Sequence, residues 1–148
     1  MGELYTKFNF DLDLAKRNRK LVVICMKYDE FLIYMGIKDL SIINLGLDLS
    51  RELKEYSIEL RKSKILDELT NILDRVQTEH ILVKNLDILF NPEYKFNILN
   101  YFINLSRNRF IFIEWPGKLK NKELEYSEIK YPDYQSYNID DHRIVVVK

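Results

Sequence analysis

Short apolar runs and stripes of helical period alternate along the chain. Leu4, Phe8, Leu12 and Ala15 recur every three to four residues. They predict a first helix that ends in the basic run Lys16-Arg17-Asn18-Arg19-Lys20, a solvated end favoured by the helix dipole. Leu21–Met26 is apolar nearly throughout, the pattern of a parallel strand covered on both faces. Tyr28, Phe31, Leu32 and Met35 share one face of a short helix that Gly36 closes. Ser41–Leu45 reads as a second strand with Gly46 as its turn. Residues 48–77 are helical in pattern. One stripe runs from Leu49 through Leu53 and Tyr56 to Leu60, another from Ile65 to Val76, and the charged Arg61–Lys64 forms a turn between them.

Ile81–Val83 is a third strand. Asn91-Pro92 marks a helix start, with Asn as N-cap and Pro at the first helical position. That helix carries Phe96, Leu99, Tyr101, Phe102 and Leu105 and ends near Ser106-Arg107-Asn108-Arg109. Phe110–Ile113 is a fourth strand, stopped by Trp115-Pro116-Gly117. Residues 118–141 read as a polar, Tyr-rich, irregular segment in which Pro132 breaks any helix, and Arg143–Val147 is a final strand. Strands alternating with helices imply βαβ units with right-handed crossovers. The expected fold is three-layer α/β around a mostly parallel five-stranded sheet. No repeat or linker divides it, so 1–148 reads as one domain.

Composition narrows the class. The content is 47% hydrophobic and 31% charged, that of a soluble globular protein. With 23 basic and 23 acidic residues the formal charge is zero, which argues against a general electrostatic nucleic-acid binder. The single cysteine, Cys25, permits no internal disulfide and fits a reducing cytoplasm. No signal-type apolar region opens the chain, and no run approaches the roughly 20 residues of a membrane span.

The strand Leu21–Met26 has the look of the opening strand of a P-loop ATPase, yet it is followed by Lys27-Tyr28-Asp29-Glu30-Phe31-Leu32. A Walker loop needs glycines whose N–H groups curl around phosphates, then a Lys and a Ser or Thr for Mg²⁺. None of these is present, and the chain holds only four glycines where about ten would be ordinary. His80 and His142 lack zinc-site spacing, and Cys25 has no Cys partner nearby. No nucleophile elbow occurs. No catalytic residue or metal ligand is therefore assigned. Arg107 and Arg109, flanking Asn108, can cap the preceding helix or reach a partner. Trp115 stands at the ligand edge of an open α/β sheet, as a packing anchor or a partner contact. Tyr126, Tyr131, Tyr134 and Tyr137 can seal the sheet, contact protein or stack on bases.

The order of elements resembles the core of AAA-type P-loop ATPases, with a Walker A strand, a Walker B strand and a sensor strand. His80–Phe90 resembles a Walker B strand with an acidic, apolar continuation. Ser106-Arg107-Asn108-Arg109, the strand after it and Trp115-Pro116-Gly117 form one block, completed by Tyr126-Ser127-Glu128 and Tyr131–Tyr137. Together these are similar to the BrxF family, small P-loop proteins of type 3 BREX phage-defence systems. The resemblance implies a P-loop NTPase-like fold and a role in a bacterial or archaeal defence complex. This chain departs from the family at the chemistry. The position of the Walker B aspartate is Lys84, whose charge repels the metal that an aspartate would hold. Lys84 is then a solvated strand end, an internal substitute for the metal's charge, or an anion ligand. Asp87 alone is a poor magnesium site. Lys27, Tyr28, Lys84 and Asp87 thus mark a degenerate nucleotide site.

The leading expectation is a non-hydrolysing assembly or regulatory subunit without a cofactor. Its partners would be other defence proteins, such as an ATPase or a DNA-handling subunit. Arg107, Asn108, Arg109, Trp115, Tyr134 and Tyr137 are the candidate partner or nucleic-acid contacts. One alternative is an atypical ATPase that still binds ATP and Mg²⁺. Another is a nucleic-acid-binding module using Lys16–Lys20, Arg107, Arg109 and the tyrosines.

Overall fold

Near-continuous apolar runs suit strands buried on both faces, and here they build the centre of the molecule. The structure, a computed structural model, describes residues 1–148. Its main sheet contains β1 (Glu3–Tyr5), β2 (Leu21–Ile24), β3 (Leu40–Asn44), β4 (His80–Lys84), β5 (Phe110–Glu114) and β9 (Ile144–Val147). The strand order is β1-β9-β2-β5-β4-β3, and every neighbouring pair is parallel. The fold is therefore α/β, with six strands in the parallel sheet where five were expected.

Period-two alternation sorts the side chains. Leu21, Val23, Ile81, Val83, Ile111, Ile113, Ile144 and Val146 pack against α3 (Leu45–Leu53), α4 (Ile58–Asp74) and α5 (Ile98–Ser106). Val22, Ile24, Leu82, Phe112, Val145 and Val147 face α1 (Leu12–Arg17) and α2 (Tyr28–Met35). Helices thus cover both faces of the sheet. No helix is long and apolar enough to cross a membrane.

Several boundaries differ from the sequence reading, each for a local reason. Leu4 and Phe8 are not helical. Residues 3–5 pair with Val145–Val147 as an edge strand, and α1 starts only where the Asp11 carboxylate caps the N–H of Leu14 at 3.0 Å. The turn placed at Arg61–Lys64 lies earlier. Ser57 Oγ caps α4 through the N–H of Leu60 at 3.3 Å, and Arg61 Nε donates to the carbonyls of Leu53 and Tyr56 at 3.0 and 3.1 Å. Arg61 therefore braces that corner from inside α4. Asn91-Pro92 opens only a single 3₁₀ turn, Pro92–Tyr94. The cap of α5 is Asn97, which accepts from the N–H of Asn100 at 3.0 Å. Gly36 does close α2, at φ 61°, but Gly46 makes no turn, because α3 follows β3 directly.

Residues 118–141 are not irregular. They form a three-stranded antiparallel meander of β6 (Lys118–Lys120), β7 (Glu123–Tyr126) and β8 (Gln135–Asn138), followed by a 3₁₀ turn, Ile139–Asp141. Leu124, Tyr137 and Ile139 fasten it to the same core as α3–α5. Gly117 is needed at its start: a Cβ there would lie 1.8 Å from the Glu125 carbonyl oxygen.

Candidate functional site

Ligands of open α/β sheets bind beyond the carboxyl ends of the strands, where successive crossovers diverge. The chain leaves β2 through α2 toward β3 at the far edge, then returns through β4 and β5 before crossing to β9. The divergence lies at β2 and β5. Across it the registers align Ile24 with Glu114 and Val83 with Ile113, so Lys84 comes level with Glu114 on the next strand. Both continue the row of Ile24, Leu82 and Phe112, which faces α2.

The first residue of α2 sits over this pair. Lys84 Nζ donates to the Tyr28 hydroxyl at 3.3 Å and lies 5.0 Å from the centre of its ring. The backbone N–H of Tyr28 lies near enough to the Glu114 carboxyl to favour its charged form. A negative oxygen at a helix N-terminus is the arrangement that favours phosphate binding, and here the chain supplies the oxygen itself. Partial burial pushes the Glu114 carboxyl upward from its ordinary range. The Lys84 charge and the Tyr28 N–H oppose that rise, and Asp29 adds to it. Lys84, Tyr28 and Glu114 are all half-buried. Lys84 thus ends its strand partly exposed, with one long bond to Tyr28.

The other residues of the expected nucleotide site do not join them. Lys27 is exposed and precedes α2 without capping it. Asp87 stands exposed on the 3₁₀ turn Leu86–Phe90, whose apolar residues pack on the α3–α5 face. Its charge is felt by Tyr126 of β7, not by Glu114. Partial desolvation raises the Asp87 carboxyl. At the far edge, Asn85 adopts φ 59° and donates from Nδ2 to Asn44 Oδ1 at 2.8 Å. The same oxygen caps α3 through the N–H of Leu47 at 3.2 Å. Burial pushes the Cys25 thiol up to about 12, which leaves no thiolate at neutral pH. No three His, Cys, Asp or Glu side chains converge as a metal site would require.

The proposed contact residues divide. Trp115 is buried. Its N–H bonds the Ile24 carbonyl at 2.9 Å, and its indole Nε1 donates to the Glu125 carbonyl at 3.0 Å. Its ring meets Phe90 and Tyr137 edge-on, at 5.7 and 5.9 Å between centres, and Phe90 stacks on Tyr126 at 3.8 Å. Trp115 and Tyr137 are therefore packing anchors that join the meander to the main sheet, not surfaces for a partner. Tyr137 also donates to the Gln135 side-chain oxygen. Tyr134 is half-buried and donates weakly to Glu125 Oε2 at 3.4 Å. Arg109 caps α4 rather than the helix before it. Its guanidinium reaches the carbonyls of Leu73 and Val76 at 3.0 and 2.6 Å. Arg107 and Asn108 remain exposed.

Glu114 was not singled out from sequence. Its signal is a carboxylate ending the apolar run Phe110–Ile113 on the row that faces α2. Compared with known proteins, the chain matches no family model, no curated protein and no solved structure.

Proposed function

We propose that this is a P-loop-like, AAA-type domain whose nucleotide site is filled by its own side chains, so that it works by contact instead of hydrolysis. The observation that carries the reading is the strand register, which sets Glu114 level with Lys84, whose ammonium reaches Tyr28, the first residue of α2. By the resemblance, β2 takes the part of the Walker A strand and β4 that of the Walker B strand, with the sensor strand β5 between them. Glu114 then stands where a phosphate would meet the helix, and Lys84 stands where the metal's charge would be.

ATP and Mg²⁺ do not fit these residues. A bound phosphate would face the Glu114 carboxylate, and a cation would face the Lys84 ammonium. Phosphoryl transfer depends on positioning and neutralising phosphates, and the groups for both are missing. The atypical-ATPase alternative is accordingly weaker. A contact role is supported by exposed apolar side chains on the α2 side, where Phe8 meets Tyr34 edge-on at 5.5 Å and Ile33 is 82% exposed. We place the subunit in a defence assembly of the BREX type on the strength of the sequence resemblance alone. In a thermal-shift and phosphate-release test, ATP with Mg²⁺ is expected to leave the melting temperature unchanged and to yield no phosphate above background. A saturable rise in melting temperature would contradict the reading, since a ligand of the native state stabilises it.

A further inference from the structure

The opposite pole of the sheet carries a charge arrangement that the contact role does not use. Arg17 and Arg19 end α1, Arg107 ends α5 and Arg143 precedes β9. These four exposed arginines surround an open hollow of about 430 Å³ that no carboxylate lines. Arg143 is held there by donating to the Asn18 carbonyl at 2.8 Å. None of the four belongs to an ion pair. The neighbouring lysines do, with Lys16 on Glu79 at 2.9 Å and Lys20 on Glu3 at 2.7 Å. The chain thus neutralises the lysines and leaves the arginines free. Four like charges without partners repel one another in the folded state, and an anion relieves the repulsion. Guanidinium groups suit phosphate because their fork matches two phosphate oxygens.

The backbone fixes Arg19 at this pole. The chain leaves α1 through a Schellman turn, with Lys20 N–H bonded to the Ala15 carbonyl and Arg19 N–H to the Lys16 carbonyl. Arg19 occupies the left-handed position at φ 50°, where glycine is easiest and other residues carry a cost of about 1 kcal/mol. Asp39, Asn85, Lys95, Asn121 and Ser127 share this conformation, so it fixes where Arg19 stands without marking it for a ligand.

We propose that this pole binds the phosphodiester backbone of duplex nucleic acid, without reading its sequence, through Arg17, Arg19, Arg107 and Arg143. The duplex is favoured over single strands because no aromatic side chain lines the hollow to stack a base. Phe110, at the start of β5, is covered by Lys16 and Arg19. Contacts to phosphates alone carry no base information.

The test is fluorescence anisotropy of a labelled mixed-sequence DNA duplex with the full chain, titrated at several salt concentrations. Three or four phosphate contacts predict a slope of log affinity against log salt of about −3 to −4. The Arg19→Gly/Arg107→Ala double variant should lose about 2 from that slope and at least about tenfold in low-salt affinity. Its melting temperature should hold or rise, because Gly suits the turn, so a loss of binding cannot be ascribed to unfolding. Absence of duplex binding at low salt would overturn the proposal. So would undiminished binding by the double variant, or tighter binding of a single strand of the same length.

Discussion

At the carboxyl end of the sheet, Lys84 and Glu114 stand level on neighbouring strands, with Tyr28 over Lys84. At the amino end, four arginines face no carboxylate. One end sets opposite charges level on neighbouring strands without a direct ion pair, and is roofed on the other face by aromatic packing. The other end is open and uncompensated. The difference separates two uses of charge. Compensated charge occupies a site and removes it from ligands, while uncompensated charge creates demand for one. On the proposed reading, the end where an α/β sheet ordinarily binds ligands is the occupied one.

The largest effects should come from the aromatic packing that completes the carboxyl end. Trp115→Ala should cost about 3–5 kcal/mol in chemical denaturation, because a buried ring is lost and the Glu125 carbonyl loses its indole donor. Gly117→Ala should cost about 1–3 kcal/mol, since the new methyl must displace the Glu125 backbone. Equal stability of either variant and wild type would show that the meander is not fastened as described.

Lys84→Asp comes next. It sets a second carboxylate level with Glu114 and removes the partner of Tyr28, for an expected loss of about 1–2 kcal/mol. It should not create hydrolysis, because no phosphate loop accompanies it. Turnover by the purified variant would contradict the idea that two independent losses silenced the site.

Glu114→Gln is the mildest and has a defined pH signature. The folded Glu114 carboxyl titrates above its ordinary value of 4.5, so the folded state holds the proton more readily than the unfolded state. Stability contributed by that group therefore falls as pH rises through the window just above 4.5. Removing the charge should raise the melting temperature by about 1 °C at neutral pH, a few tenths of a kcal/mol after solvent screening. The gain should fade as pH falls below the ordinary carboxylate value. Glu3 and Glu79 run the other way. The hydrogen bonds from Lys20 and Lys16 lower their titration, so their stabilisation is present above the ordinary value and lost in acid. Melting curves of wild type and variant across pH separate the two signs.

The central strands were legible because a strand buried on both faces must be apolar at nearly every position, as β2 and β9 are. Two other regions were not. The spacing of Leu4, Phe8 and Leu12 fits a helix, yet pairing with β9 satisfies more backbone groups than a helix start would. The meander strands are three or four residues long and mostly polar, with Leu124 alone fully buried in β7, so alternation had too little length to register. Within the site, Lys84 and Tyr28 were visible as departures from an expected motif. Glu114 was not, because its meaning comes from β5 lying between β2 and β4, a fact of sheet order. The arginine pole was hidden for a similar reason. A net charge of zero counts charges without placing them, and Arg143 joins Arg17 across most of the chain's length.

The most direct test is titration calorimetry of the purified chain with ATP and with ADP, at high protein concentration and with Mg²⁺ present. A site filled by Glu114 and Lys84 predicts no saturable heat from either nucleotide up to millimolar concentration. Saturable binding that is lost in Lys84→Asp would contradict it, and would mean that the carboxyl end of the sheet still takes phosphate.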